Sequence, residues 1–175
     1  DLIKDFIVSN LIANKEDFFA DIVSKLEELK TEIEKNRDYE KKPFYKDLDT
    51  KLQKKEEDCR DHIVNLLRAK YGLDITLSRE KYEANNRVDF NIKYKANDGF
   101  EVQVECKRDG PSEINTGIST QLIPKYLTDG IYGIYLVFYF GNKKNKTLLL
   151  KKINADIPEN YVSRIKVICL DLTLA

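Results

Sequence analysis

The chain of 175 residues carries 30 basic and 30 acidic side chains, so its overall charge selects neither nucleic acid nor a membrane surface as a partner. Apolar residues make up 42%, enough for a packed core, and no apolar run nears the roughly 18 residues of a membrane-spanning helix. A disordered chain and one crossing a membrane by a helix are thereby excluded, and any nucleic-acid contact has to come from a local basic patch.

No basic-then-apolar stretch opens the sequence, so the expected compartment is the cytoplasm. The chain starts at Asp1 and has no Met, which suggests a piece of a longer protein with upstream domains. Cys59, Cys106 and Cys169 are dispersed and odd in number, against a disulfide framework or a clustered zinc site. His62 is the single histidine and the one possible base for Ser-His or Cys-His catalysis. It reads as a surface helix residue.

Residues 1–46 are charged, with apolar positions recurring every three to four residues, and read as a helical arm or a linker from an upstream domain. Pro43 supplies a joint. A second unit is expected over 47–175. It opens with a helix from Asp47 to Tyr71, stopped by Gly72, with Leu52, Cys59 and Ile63 on its apolar face. Three strands follow, at 74–80, 87–94 and 100–107, then a helix over 114–130 that Pro124 kinks or delays. "IYGIYLVFYF" (131–140) is apolar on both parities, as in a central strand covered on two faces. "KTLLLK" and "RIKVICLDL" read as two further strands, with the basic "GNKKNK" as a hairpin tip. The order α-β-β-β-α-β predicts an α/β fold: a mixed sheet flanked by helices.

The chemistry gathers on the second and third strands. In "FEVQVECK" the apolar Val102, Val104 and Cys106 alternate with Glu101, Gln103, Glu105 and Lys107. A two-residue turn at Asp98-Gly99 would put Asp89 on the core side with Val104. A three-residue loop, Asn97 to Gly99, with Gly99 left-handed, instead sets Asp89 opposite Lys107 and Asn91 opposite Glu105. The second register satisfies both turn chemistry and hydrophobic pattern. Asp89, Glu105 and Lys107 then converge, a set suited to Mg²⁺-assisted phosphodiester hydrolysis. An acid-x-Lys triplet also occurs at Glu28–Lys30, Glu40–Lys42 and Asp49–Lys51, but those lie in helical patterns. The plain alternative is a cross-strand ion pair on a wet sheet face.

"RVDF", "VECK" sixteen residues further from acid to acid, and "QLIPKYL" before an apolar strand resemble the PD-(D/E)xK nucleases. "RVD" lacks the proline that many members carry. Over about Asp47 to Phe140 the resemblance implies the restriction-endonuclease-like αβββαβ core, Mg²⁺ (or Mn²⁺) dependence and cleavage of nucleic acid, DNA favoured over RNA and endonuclease over exonuclease. It implies metal-binding acids at Asp89 and Glu105, the catalytic lysine at Lys107, a glutamine at Gln121 with Lys125 and Tyr126 behind it, and a helix acid at Glu56 or Glu57. Glu80 is at most a supporting acid, and Lys143, Lys144 and Lys146 are candidate phosphate contacts. The same resemblance suggests an effector module in prokaryotic defence; a homo-oligomer is a separate partner expectation. The alternatives are an inactive nuclease-like nucleic-acid binder and a protein-interaction module.

Overall fold

A computed structural model of the chain describes residues 12–35, 38–77, 89–95, 97–127 and 130–174. Helix α1 (Lys15–Lys35) starts where Asn14 Oδ1 accepts the Asp17 N–H at 2.8 Å, a side-chain cap on an unpaired helix donor. Its stripe Phe18, Ile22, Leu26, Leu29 and Ile33 keeps the 3.6-residue period and is buried. The stripe packs in the same core as the sheet, so the expected arm is a layer of the fold. The core has no break at residue 46. Residues 1–11 lie outside the described residues.

The helix expected from Asp47 begins nine residues later. Strands β1 (Tyr45–Asp47) and β2 (Leu52–Gln53) form a small antiparallel hairpin first. Asp47 Oδ1 accepts the Thr50 N–H at 3.0 Å and Lys51 takes a left-handed φ of 52°, a side-chain-closed turn that competes with helix. Helix α2 (Glu56–Tyr71) then buries Cys59, Ile63, Val64 and Leu67. It stops at Gly72, left-handed at φ 61°, whose N–H bonds to Arg68 O.

Strands β3 (Asp74–Leu77), β4 (Phe90–Tyr94), β5 (Asn97–Arg108), β6 (Tyr132–Tyr139) and β7 (Ile165–Asp171) make one sheet in the order β3-β4-β5-β6-β7. The first three are antiparallel and the last three parallel, so the sheet is mixed. Helices cover both faces. Along β6 the residues Ile134, Leu136 and Phe138 join α1 and α2, while Tyr135, Val137 and Tyr139 join Ile114, Ile118 and Leu122 on the other side. That is why β6 is apolar on both parities.

Further sequence expectations need correction. The β4–β5 hairpin turns earlier than expected: Tyr94 pairs with Asn97 and, after an irregularity, Asn91 pairs with Gln103. Gly99 lies within β5, and the register differs by two residues from the expected one. "KTLLLK" is the first half of helix α4 (Lys146–Ala155), with Asn145 Oδ1 capping the Leu148 N–H at 2.9 Å and Leu149 and Ile153 buried one turn apart. "GNKKNK" consequently links β6 to α4 and is not a hairpin tip.

The helix expected over 114–130 is split into a 3₁₀ turn (Ser112–Asn115), a π turn (Ile118–Leu122) and a short helix α3 (Ile123–Tyr126). Pro124 has no N–H to bond back to Thr120, and the backbone widens into the π turn just before it.

Candidate functional site

β5 presents Glu105 and Lys107 two residues apart on one face, and Lys107 Nζ donates to Glu105 Oε1 at 2.8 Å. α2 adds Glu56 at its first turn. Glu56 Oε1 is 3.6 Å from Lys107 Nζ, and Glu56 Oε2 accepts the Arg108 backbone N–H at 2.9 Å. Asp89 precedes β4, where the ladder Phe90–Val104 ends, one step from Glu105. Its Oδ2 accepts the Cys106 N–H at 2.7 Å, replacing the backbone partner that β4 no longer supplies. The two-residue register difference preserves parity, so Asp89 still joins the edge that carries Glu105 and Lys107.

Arg60 completes the cluster. It stands four residues after Glu56 on the same helix face, donates to Asp89 Oδ1 at 3.4 Å and to Asp61 Oδ1 at 2.9 Å. The Glu56–Arg60 spacing was the signal available in the sequence. Glu57 is exposed and joins nothing in the cluster.

Glu56, Asp89 and Glu105 face two cations, Lys107 and Arg60, and Arg60 is shared with Asp61, so the cluster is formally net negative. Glu105 is only 5% exposed, and burial, then the charge of Asp89, push its carboxyl up to about 7 against the pull of Lys107. Asp89 is raised too, chiefly by burial, with the Cys106 N–H opposing. For Lys107 burial acts downward, but Glu105 and Glu56 outweigh it and hold the ammonium well above its ordinary range. A wet sheet face with a casual ion pair does not desolvate a carboxylate to this degree.

Among the described residues no three His, Cys, Asp or Glu side chains are already drawn together as a metal cage. Lys107 and Arg60 sit among the acids. The donor set nonetheless fits a hard divalent cation: Asp89 and Glu105 offer carboxylate oxygens, and the Cys106 carbonyl leaves β5 on the same edge as its N–H. The Cys106 thiol itself is buried on the core face, where burial pushes it well above its usual range.

The other expected residues fall elsewhere. Gln121 is half-buried in the π turn and makes no hydrogen bond to the cluster among the described residues. Lys146 pairs with Asp171 at 2.5 Å; the Lys143 N–H donates to Asp109 Oδ2 at 3.2 Å; Lys144 is exposed. His62 packs edge-on against Phe44 at 5.0 Å, half inside the fold. Glu80 and Arg87-Val88 lie outside the described residues. Sequence reading also missed Asp109, fully buried, whose carboxylate accepts the N–H groups of Phe140 and Lys143 and the Asn142 amide. "DGP" reads as an ordinary turn, and only the three-dimensional return of β6 reveals its role.

The family model for DUF8371, a domain of unknown function, matches residues 18–142. The chain belongs to that family. The DUF8371 match opens inside α1 and closes just after β6, so it contains Glu56, Arg60, Asp89, Glu105 and Lys107. Neither a curated protein nor a solved structure matches the chain. No helix among the described residues is long and apolar enough to cross a membrane.

Proposed function

We propose that this DUF8371 chain is a divalent-metal-dependent phosphodiesterase acting on nucleic acid, DNA in the first instance, with a restriction-endonuclease-like core. The observation that carries this reading is the pairing of buried Glu105 with half-buried Lys107 on β5, with Asp89 one ladder step away and Glu56 closing over it from α2. The antiparallel β3-β4-β5 meander followed by a crossover to parallel β6 supports it, as does the resemblance of "RVDF" and "VECK" to the PD-(D/E)xK pattern.

Asp89 and Glu105 would hold Mg²⁺ or Mn²⁺, with Glu56 adding negative charge beside them. The chemistry such an ion supplies when bound is Lewis acidity toward a phosphoryl oxygen and a lowered water pKa. Lys107 is held protonated, so its part is donation: it orients an attacking water or meets the charge that grows on the phosphoryl oxygens. Glu56 fixes the lysine between two acids, which keeps the donor aimed without its own reorganisation.

The test is nicking of supercoiled plasmid with and without Mn²⁺. Wild type is expected to cut only with the ion. Glu105→Gln should lose both cleavage and Mn²⁺ binding by calorimetry, and Lys107→Ala should lose cleavage while retaining the ion. Equal cleavage by wild type and both variants would remove the proposal.

A further inference from the structure

Beside Glu56 opens a groove of about 530 Å³ lined by Lys55, Glu56, Arg108, Gly110 and Pro111. The two oxygens of Glu56 are already committed to Lys107 and to the Arg108 N–H, which leaves the groove's character to Lys55 and Arg108. Lys55 is exposed at the start of α2. Arg108 is held differently. Its guanidinium donates to the neutral Gln53 Oε1, lies 5.3 Å from the Phe140 ring centroid, and keeps a buried Nε without a partner.

Among the described residues Arg108 makes no ion pair with a carboxylate. A guanidinium that is fixed, partly desolvated and uncompensated is an anion receptor waiting in its binding geometry, since little side-chain entropy remains to be lost. The lining at Gly110 is open: a Cβ placed there would approach nothing nearer than Asn142 Nδ2 at 3.9 Å. Arg108 follows Lys107 on β5 and its side chain leaves the other face of the strand, but Glu56 lines the groove and stands 3.6 Å from Lys107 Nζ, so an occupant of the groove lies next to the carboxylate cluster.

We infer that Arg108 and Lys55 form a phosphate subsite that grips the nucleic-acid backbone adjacent to the bond acted on at Lys107. The inference rests on the proposed phosphodiesterase reading for its ligand class. A planar fork suits the two free oxygens of a phosphodiester, and Lys55 adds a point charge across the groove. Neither contact reads a base.

The experiment is fluorescence anisotropy of a labelled single-stranded oligonucleotide in EDTA over a salt series, with Mn²⁺ calorimetry run separately. Arg108→Gln is expected to weaken binding roughly tenfold and to reduce the slope of log K on log salt by about 0.7, the loss of one phosphate contact. Arg108→Lys should recover part of the affinity. Lys55→Ala changes an exposed side chain that caps nothing, and it should weaken binding in the same direction without altering the melting temperature. Inorganic phosphate at matched ionic strength separates a backbone phosphodiester from a free phosphate; complete displacement by it overturns the backbone assignment. The subsite is also overturned if wild type does not bind the oligonucleotide, or if both variants bind with wild-type affinity and slope. Glu105-dependent cleavage with Arg108-independent binding would sink the subsite alone. Arg108-dependent binding without Mn²⁺ binding or cleavage would sink the phosphodiesterase reading alone.

Discussion

Arg60 and Glu56 leave α2 from the same face, but they act on the acids with opposite sign. Arg60 is only loosely engaged with Asp89 at 3.4 Å and has a shorter alternative in Asp61 at 2.9 Å, so on the proposed reading it is an internal counter-ion that a divalent cation would replace. Arg60→Gln should therefore tighten Mn²⁺ binding, by about threefold to tenfold, because a positive charge beside Asp89 is gone. Arg60→Lys should bind as wild type does. Weaker Mn²⁺ binding by Arg60→Gln in calorimetry would mean that the guanidinium instead holds Asp89 in ligating position. Glu56→Ala removes negative charge from the cluster and should weaken Mn²⁺ binding, whereas the exposed Glu57→Ala should leave it unchanged.

At the scale of elements, the packing of the 116–122 turn on β6 is a steric constraint. A Cβ on Gly117 would lie 2.2 Å from the Tyr135 hydroxyl and 2.9 Å from its ring carbon, although Gly117 has an ordinary φ of −64°. Space, not conformation, requires glycine there. Tyr135 is buried, donates to Ile114 O at 3.1 Å, and pairs in register with Glu105. Gly117→Ala should cost about 1–3 kcal/mol in denaturant unfolding and Tyr135→Phe should restore part of it. An unchanged midpoint in Gly117→Ala would show that the turn relaxes freely. The elements were legible in the sequence where a face is buried: α2 with its Gly72 stop, β6, β7, and the parity that brings Asp89 to Glu105 all follow from apolar spacing. What was not legible came from side chains that cap backbone locally. Asp47 closes a turn where the apolar spacing continued a helix, and Asn145 starts a helix in a run too short to reveal its period. The β4–β5 turn was misplaced because Asp98-Gly99 is good turn chemistry that the strand pairing overrides; Arg60 had only its four-residue spacing from Glu56 to mark it, and Arg108 looks in sequence like any surface charge.

For the molecule as a whole, Glu105 couples the site to stability. Its carboxyl moves from an ordinary 4.5 up to about 7 on folding, so between those values the folded chain keeps a proton that the unfolded chain releases. Stability contributed by this group is full below about pH 4.5 and is lost as pH rises through about 7. The metal-free protein should melt lower at about pH 8 than at about pH 5.5; Glu105→Gln should flatten that difference, and Mn²⁺ should raise the melting temperature most on the alkaline side. A steeper pH dependence in Glu105→Gln would contradict the burial argument. The same whole-molecule view gives meaning to the clasp between the two ends of the described chain. Asp171 N–H donates to Glu34, Lys41 Nζ donates to Thr173 O and Tyr45 to Leu172 O, all across more than a hundred residues, while the stripe of α1 packs beside β7. During synthesis, then, α1 leaves the ribosome well before β7 and must wait, with part of its apolar stripe uncovered, until that strand has been made. Closure across so long a loop is slow, and the waiting chain is the vulnerable one. Nascent chains arrested before β7 should be protease-sensitive and chaperone-bound, and those extended past Leu172 should become resistant in a single step.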